Sequence, residues 1–141
     1  DATGDFTLRG FLRNPEMKGK LLLKDAGLQF PYLNIDFDFD GDTTVGLNGQ
    51  SFEFNNINLL DTKYQTKGVL DGTITHQNFD QWALDIDILT PNLLVLDTEN
   101  SDETLYYGTG FIQGNASITG LTNNITIDVN AKTMPNTITS K

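Results

Sequence analysis

From Leu33 to Asp40 the chain alternates without a break, Leu33, Ile35, Phe37 and Phe39 against Asn34, Asp36, Asp38 and Asp40. A β-strand sends successive side chains to opposite faces, so this stretch predicts a strand with one apolar face and one acidic face. The same period of two recurs elsewhere. Phe52 and Phe54 alternate with Ser51, Glu53 and Asn55, and Trp82, Leu84, Ile86 and Ile88 alternate with Ala83, Asp85 and Asp87. Near the end, Ile125, Ile127, Val129 and Ala131 alternate with Thr126, Asp128 and Asn130. The expectation is an all-β chain whose strands share one apolar side.

The intervening stretches read as return strands and turns. Phe6 and Leu8 open a hairpin that turns at Asn14-Pro15-Glu16 and returns through Leu21–Leu23, with Gly27 expected to break the return strand. Asn55-Asn56 is expected to bulge, because Ile57 and Leu59 otherwise fall on the wrong face. Val69 to Thr75 forms a strand, followed by a loop at Gln77-Asn78 that carries His76 near its tip. Pro91 is expected to end the Trp82–Ile88 strand. Leu93–Leu96 is a covered strand or a helical turn, Asp97–Thr104 a polar loop, and 133–141 a poorly ordered tail behind a single domain over 1–132. A degenerate repeat of strand, short polar loop and return strand appears in FTLRG/KLLL, VLDGTI/WALDIDI and ASITG/ITIDVNA. Such hairpins bury their apolar face only by joining a common sheet.

Composition narrows the functions. The chain has 141 residues, 38% hydrophobic, and a net charge of −10, so nucleic-acid phosphates and anionic membrane surfaces are repelled. There are no cysteines, which removes disulfides and thiolate metal sites. No apolar run approaches the ~20 residues of a membrane-spanning helix. The chain starts at Asp1 rather than Met and reads as part of a longer or processed one.

Three stretches carry a resemblance to a known family: GDFTLRGFLRNPEMKGKLLL, the FPYLNIDFDFDG…FEFNNINLLDTKYQTKGVLDGTI progression, and LVLDTENSDETLYYGTGFIQGNASITGLTNNITIDVNAKT. Together they resemble the C-terminal region of the TamB family, within the AsmA-like group of envelope proteins. The resemblance implies a long curled β-sheet, a taco-like groove with an apolar inside and an acidic outside. It also implies a periplasmic segment of a protein anchored in the inner membrane, with a role in phospholipid traffic or outer-membrane protein assembly. The partners implied are phospholipid acyl chains, neighbouring repeats of a longer chain and an outer-membrane assembly-factor barrel.

Catalytic and metal chemistry find little support in the residues. Asp36-x-Asp38-x-Asp40-Gly41 matches the opening of an EF-hand calcium loop, but the twelfth position is Leu47, which cannot ligate. His76 is the only histidine, and no nucleophile motif accompanies it; an exposed loop histidine is the expectation. Paired carboxylates such as Asp85 and Asp87 sit on polar strand faces, where solvation explains them. No enzyme activity and no cofactor are expected.

The groove reading assigns its lining to Leu33, Ile35, Phe37 and Phe39, to Phe52 and Phe54, to Trp82, Leu84, Ile86 and Ile88, and to Ile125, Ile127 and Val129. A β-sandwich binding module, an adhesin or carbohydrate-binding domain with or without calcium, needs the same alternation, whereas a hydrolase built on paired carboxylates predicts a polar pocket with a perturbed carboxyl group. The discriminating feature is whether the apolar faces meet a second sheet or turn inward on a single one.

Overall fold

The computed structural model describes residues 6–12, 19–99, 107–134 and 138–140. The strands are β1 (Thr7–Leu12), β2 (Lys20–Phe30), β3 (Ile35–Phe39), β4 (Thr43–Asn48), β5 (Ser51–Asp61), β6 (Lys67–Gln77), β7 (Asp80–Thr98), β8 (Tyr107–Leu121), β9 (Asn124–Thr133) and β10 (Ile138–Ser140). All ten belong to one antiparallel sheet, so the two-layered sandwich is not the architecture. β3 and β4 lie end to end in one row between β2 and β5, divided by a bend over Asp40–Asp42. β9 and β10 likewise share the far side of β8. The sheet begins at β1 and ends at β9 and β10 without closing into a barrel.

The alternating segments sit as their parity requires. Ile35, Phe37 and Phe39 are buried while Asp36 and Asp38 point outward. Leu33, however, precedes the strand. It ends a 3₁₀ turn, Pro31–Leu33, and Asn34 adopts a left-handed conformation (φ 53°), donating its N–H to the Pro31 carbonyl at 3.0 Å. Of the tail expected over 133–141, Ile138–Ser140 pairs with β8. The Asn14-Pro15-Glu16 turn and most of the Asp97–Thr104 loop lie outside the described residues.

Bulges set the curvature. The one expected at Asn55-Asn56 is present: pairing slips between Phe54 and Ile57, Asn56 has φ 50°, and its N–H donates to Asp71 Oδ1 at 2.8 Å. Two breaks expected from glycine and proline do not occur. β2 runs through Gly27, its irregularity lying instead at Asp25 (φ 53°). β7 runs through Pro91, because Thr90 replaces the missing ladder bond. The Thr90 hydroxyl donates to the Lys67 carbonyl at 2.5 Å and accepts from Asn92 N–H at 2.9 Å. Proline is tolerated at such a bulge because no ladder donor is needed there. Each extra residue bends its strand and increases the local twist, which rolls the sheet about an axis along its strands. The roll brings β3 and its preceding turn against β7.

Candidate functional site

The concave side of the roll is apolar from end to end, and packing divides it in three. One end holds a cavity of about 430 Å³. Its walls come from β2, the 3₁₀ turn and β3 on one side (Phe30, Leu33, Ile35, Phe37) and from β7, β8 and β9 on the other (Ile88, Leu93, Val95, Ala116, Ile118, Ile127, Asp128, Val129). The other end holds a cavity of about 420 Å³, lined by Phe6, Leu8, Leu21, Leu23, Val45, Phe52, Phe54, Ile74, Trp82 and Thr122. Between them Leu8, Leu28, Phe39, Phe54, Leu70, Ile74 and Ile86 close into a waist without room for water.

All thirteen residues expected to line the groove lie on this concave side. Leu33, Ile35, Phe37, Ile88, Ile127 and Val129 wall the first chamber, and Phe52, Phe54 and Trp82 the second. Phe39 and Ile86 form the waist with Phe54. Leu84 and Ile125 are buried in the continuous core and face neither chamber. The trough is therefore interrupted, and its uniform lining does not make a uniform channel. Phe30, Leu93, Val95, Ala116, Ile118 and Asp128 also line the first chamber, outside the expected set. The signal for Ala116 and Ile118 was their alternation with Asn115, Ser117 and Thr119, and Phe6 and Leu8 carried the same signal for the second chamber. Val129 is 53% exposed and marks where the first chamber opens to solvent.

Beyond the first chamber, a polar network ties down the loop between β5 and β6. The Asp61 carboxylate, 1% exposed, accepts from the N–H groups of Lys63 (2.8 Å), Tyr64 (3.2 Å) and Thr66 (3.0 Å) and from the Thr66 hydroxyl (2.7 Å). Lys63 then ion-pairs with Asp97, whose other oxygen accepts from Thr109 Oγ1 at 2.9 Å. The hydrogen bond to Asp97 holds the Lys63 ammonium above its ordinary range. Asn34 Nδ2 donates to the Asp97 carbonyl at 2.7 Å, joining the 3₁₀ turn to β7. Burial pushes the Tyr32 hydroxyl upward, and that hydroxyl has no hydrogen-bond partner among the described residues.

At the second chamber, His76 departs from expectation. It belongs to β6 and is 8% exposed. The parity of Leu70 and Ile74 continues to it and outweighs the polar residues around it. Its ring stacks on Phe79 (4.5 Å between centroids) and lies 4.8 Å from Trp82. Phe79 N–H donates to His76 Nδ1 at 2.8 Å, so that nitrogen is an acceptor and the ring's proton sits on Nε2.

The carboxylates that open the calcium-like motif are engaged differently. Arg9 on β1 ion-pairs with both Asp36 and Asp38 on the convex face. Partial burial works against the Arg9 charge, yet the hydrogen bonds to these two carboxylates hold its guanidinium above the ordinary range. Asp40 lies past the end of β3, in the bend, with its N–H donating to Asn58 O at 2.8 Å. Among the described residues no three His, Asp or Glu side chains converge as a metal site. Nor is any helix there long and apolar enough to cross a membrane.

No curated protein and no solved structure matches the chain. A family model does: the TamB C-terminal domain aligns with residues 55–141, from the bulge of β5 to the end. That span exceeds half of the chain and includes the walls of the first chamber contributed by β7, β8 and β9. The chain belongs to the TamB C-terminal domain family, proteins of the bacterial envelope.

Proposed function

We propose that the rolled sheet is a non-catalytic holder for phospholipid acyl chains, acting in the periplasm in lipid transfer between the two membranes or in outer-membrane protein assembly. The observation that carries this reading is the first chamber, about 430 Å³ with mainly apolar walls and Asp128 among its lining residues, reached past the exposed Val129. Pockets of ~300–1,000 Å³ suit small ligands, and apolar walls favour an apolar one. Each methylene taken from water contributes about 0.8 kcal/mol, so a 16-carbon tail gains on the order of 12 kcal/mol at most. The headgroup stays at the open rim, avoiding the cost of burying an ion. Neighbouring repeats of a longer chain would extend the trough through the open edge of β1, and an outer-membrane barrel is a candidate recipient.

Native mass spectrometry of the purified protein tests the reading. Phe37→Asp and Ile86→Asp are poor probes, because both side chains are 1% exposed and a charge there unfolds the chain. Ala116→Phe fills the first chamber without a charge. Wild type is expected to carry phospholipid and Ala116→Phe several-fold less, with Asp38→Asn unchanged. Equal lipid occupancy in wild type and Ala116→Phe would overturn the assignment.

A further inference from the structure

The turn between β6 and β7 is a two-residue hairpin loop, Asn78-Phe79, closed by the Gln77–Asp80 pair. Both residues have positive φ, 52° and 62°, as a type I′ turn requires. Asparagine suits the first position, but the second strongly favours glycine, and a bulky residue there is strained. Phe79 is also 75% exposed, so the fold bears a strained backbone to display a phenyl ring to solvent. The backbone there is held on both sides, Phe79 N–H donating to His76 Nδ1 and its carbonyl accepting from Trp82 Nε1 at 3.2 Å, and the ring rests on His76. A backbone outlier this firmly supported points to a use for the exposed side chain.

Among the described residues, three turns meet at this end. Gln50, in the β4–β5 turn, accepts from His76 N–H at 3.0 Å through its carbonyl and from Asn78 N–H at 2.5 Å through Oε1. Thr122, in the β8–β9 turn, donates its N–H to the Trp82 carbonyl at 2.9 Å. Across the three turns (48–51, 77–80 and 121–124) Asp80 is the only charged residue, in a chain that is 20% charged. Leu47 and Leu121 are exposed beside them. Thr122 of the β8–β9 turn and Trp82, whose Nε1 reaches the Phe79 carbonyl, also line the second chamber, so the tip borders that cavity.

We propose that this tip is a docking surface for an uncharged phospholipid bilayer. Phe79 inserts at the interface and the mouth of the second chamber rests against the lipid. The proposal rests on the lipid-holding reading above. Aromatic side chains favour the membrane–water interface, and a small apolar tip suffices for reversible attachment. The net charge of −10 directs the protein to zwitterionic rather than anionic surfaces.

The test is flotation of the full chain with phosphatidylcholine vesicles, with Phe79→Gly as the variant. Glycine relieves the positive φ while loss of the ring uncovers His76, so the two effects oppose each other, and flotation is compared under conditions where urea unfolding shows both proteins folded. Vesicle binding of the variant should fall about tenfold, the scale set by loss of one buried phenyl ring. Trp82 is the only tryptophan, and brominated phosphatidylcholine should quench it in wild type and far less in Phe79→Gly. Phosphatidylglycerol vesicles should bind wild type less than phosphatidylcholine vesicles do. The lipid load seen by native mass spectrometry should be equal in both proteins. Wild type that stays out of the vesicle fraction would overturn the proposal and assign the tip to a protein surface; so would a Phe79→Gly variant that floats equally well. If neither protein carries lipid while only wild type floats, docking stands and the lipid-holding reading fails.

Discussion

Arg9 lies across Gly27. The two are paired between β1 and β2, and the guanidinium passes over the glycine to reach Asp36 and Asp38 on β3. A Cβ at position 27 would collide with that guanidinium and with the Phe37 carbonyl. One missing side chain therefore lets a single arginine tie three rows of the sheet together, and it does so on the acidic convex face.

Gly27→Ala should consequently cost more than loss of the arginine itself. The ion pairs are about one-third to one-half exposed and are worth roughly 0.5–1 kcal/mol to Arg9→Ala, less at high salt. Gly27→Ala adds a clash with backbone and should cost about 1–3 kcal/mol. Urea unfolding of both variants checks the order.

Asp61 is expected to be the most sensitive single polar position. Asp61→Ala strips the buried acceptor from three N–H groups and a hydroxyl of the β5–β6 loop and should destabilise by about 3 kcal/mol. Amide hydrogen exchange should accelerate first at Lys63, Tyr64 and Thr66.

Tyr32→Phe should run the other way. It removes a buried hydroxyl that lacks a partner among the described residues, so stability at neutral pH should hold or rise by about 1 kcal/mol. An unfolding midpoint clearly below wild type would reveal a partner for that oxygen.

Alkali should loosen the first-chamber end. Tyr32, raised by burial, and Lys63, raised by its hydrogen bond to Asp97, both hold their protons more tightly folded than unfolded. Their contribution is intact below about pH 10, the ordinary range of these groups, and is lost as pH rises through the elevated values. Urea midpoints from pH 8 to 11 should fall, and the fall should be smaller in Tyr32→Phe and in Lys63→Gln.

Alternation made the strands and their shared apolar face readable, and the slip of parity at Asn55-Asn56 made a bulge readable too. What escaped the reading depends on groups distant in sequence. Pro91 sits inside β7 only because the Thr90 hydroxyl reaches the Lys67 carbonyl. His76 is covered in part by Phe52, which the pairing of β5 with β6 brings beside it. The waist arises from how tightly the bulges roll the sheet, and parity places a residue on a face without fixing how far that face lies from the one opposite.

The waist makes the interior two compartments in series. A hydrocarbon chain moving from one to the other would never be rehydrated, because the barrier between them is itself oily. Its speed would be set by the breathing of Phe39, Phe54 and Ile86, and a protein loaded at both ends should empty with two distinct time constants.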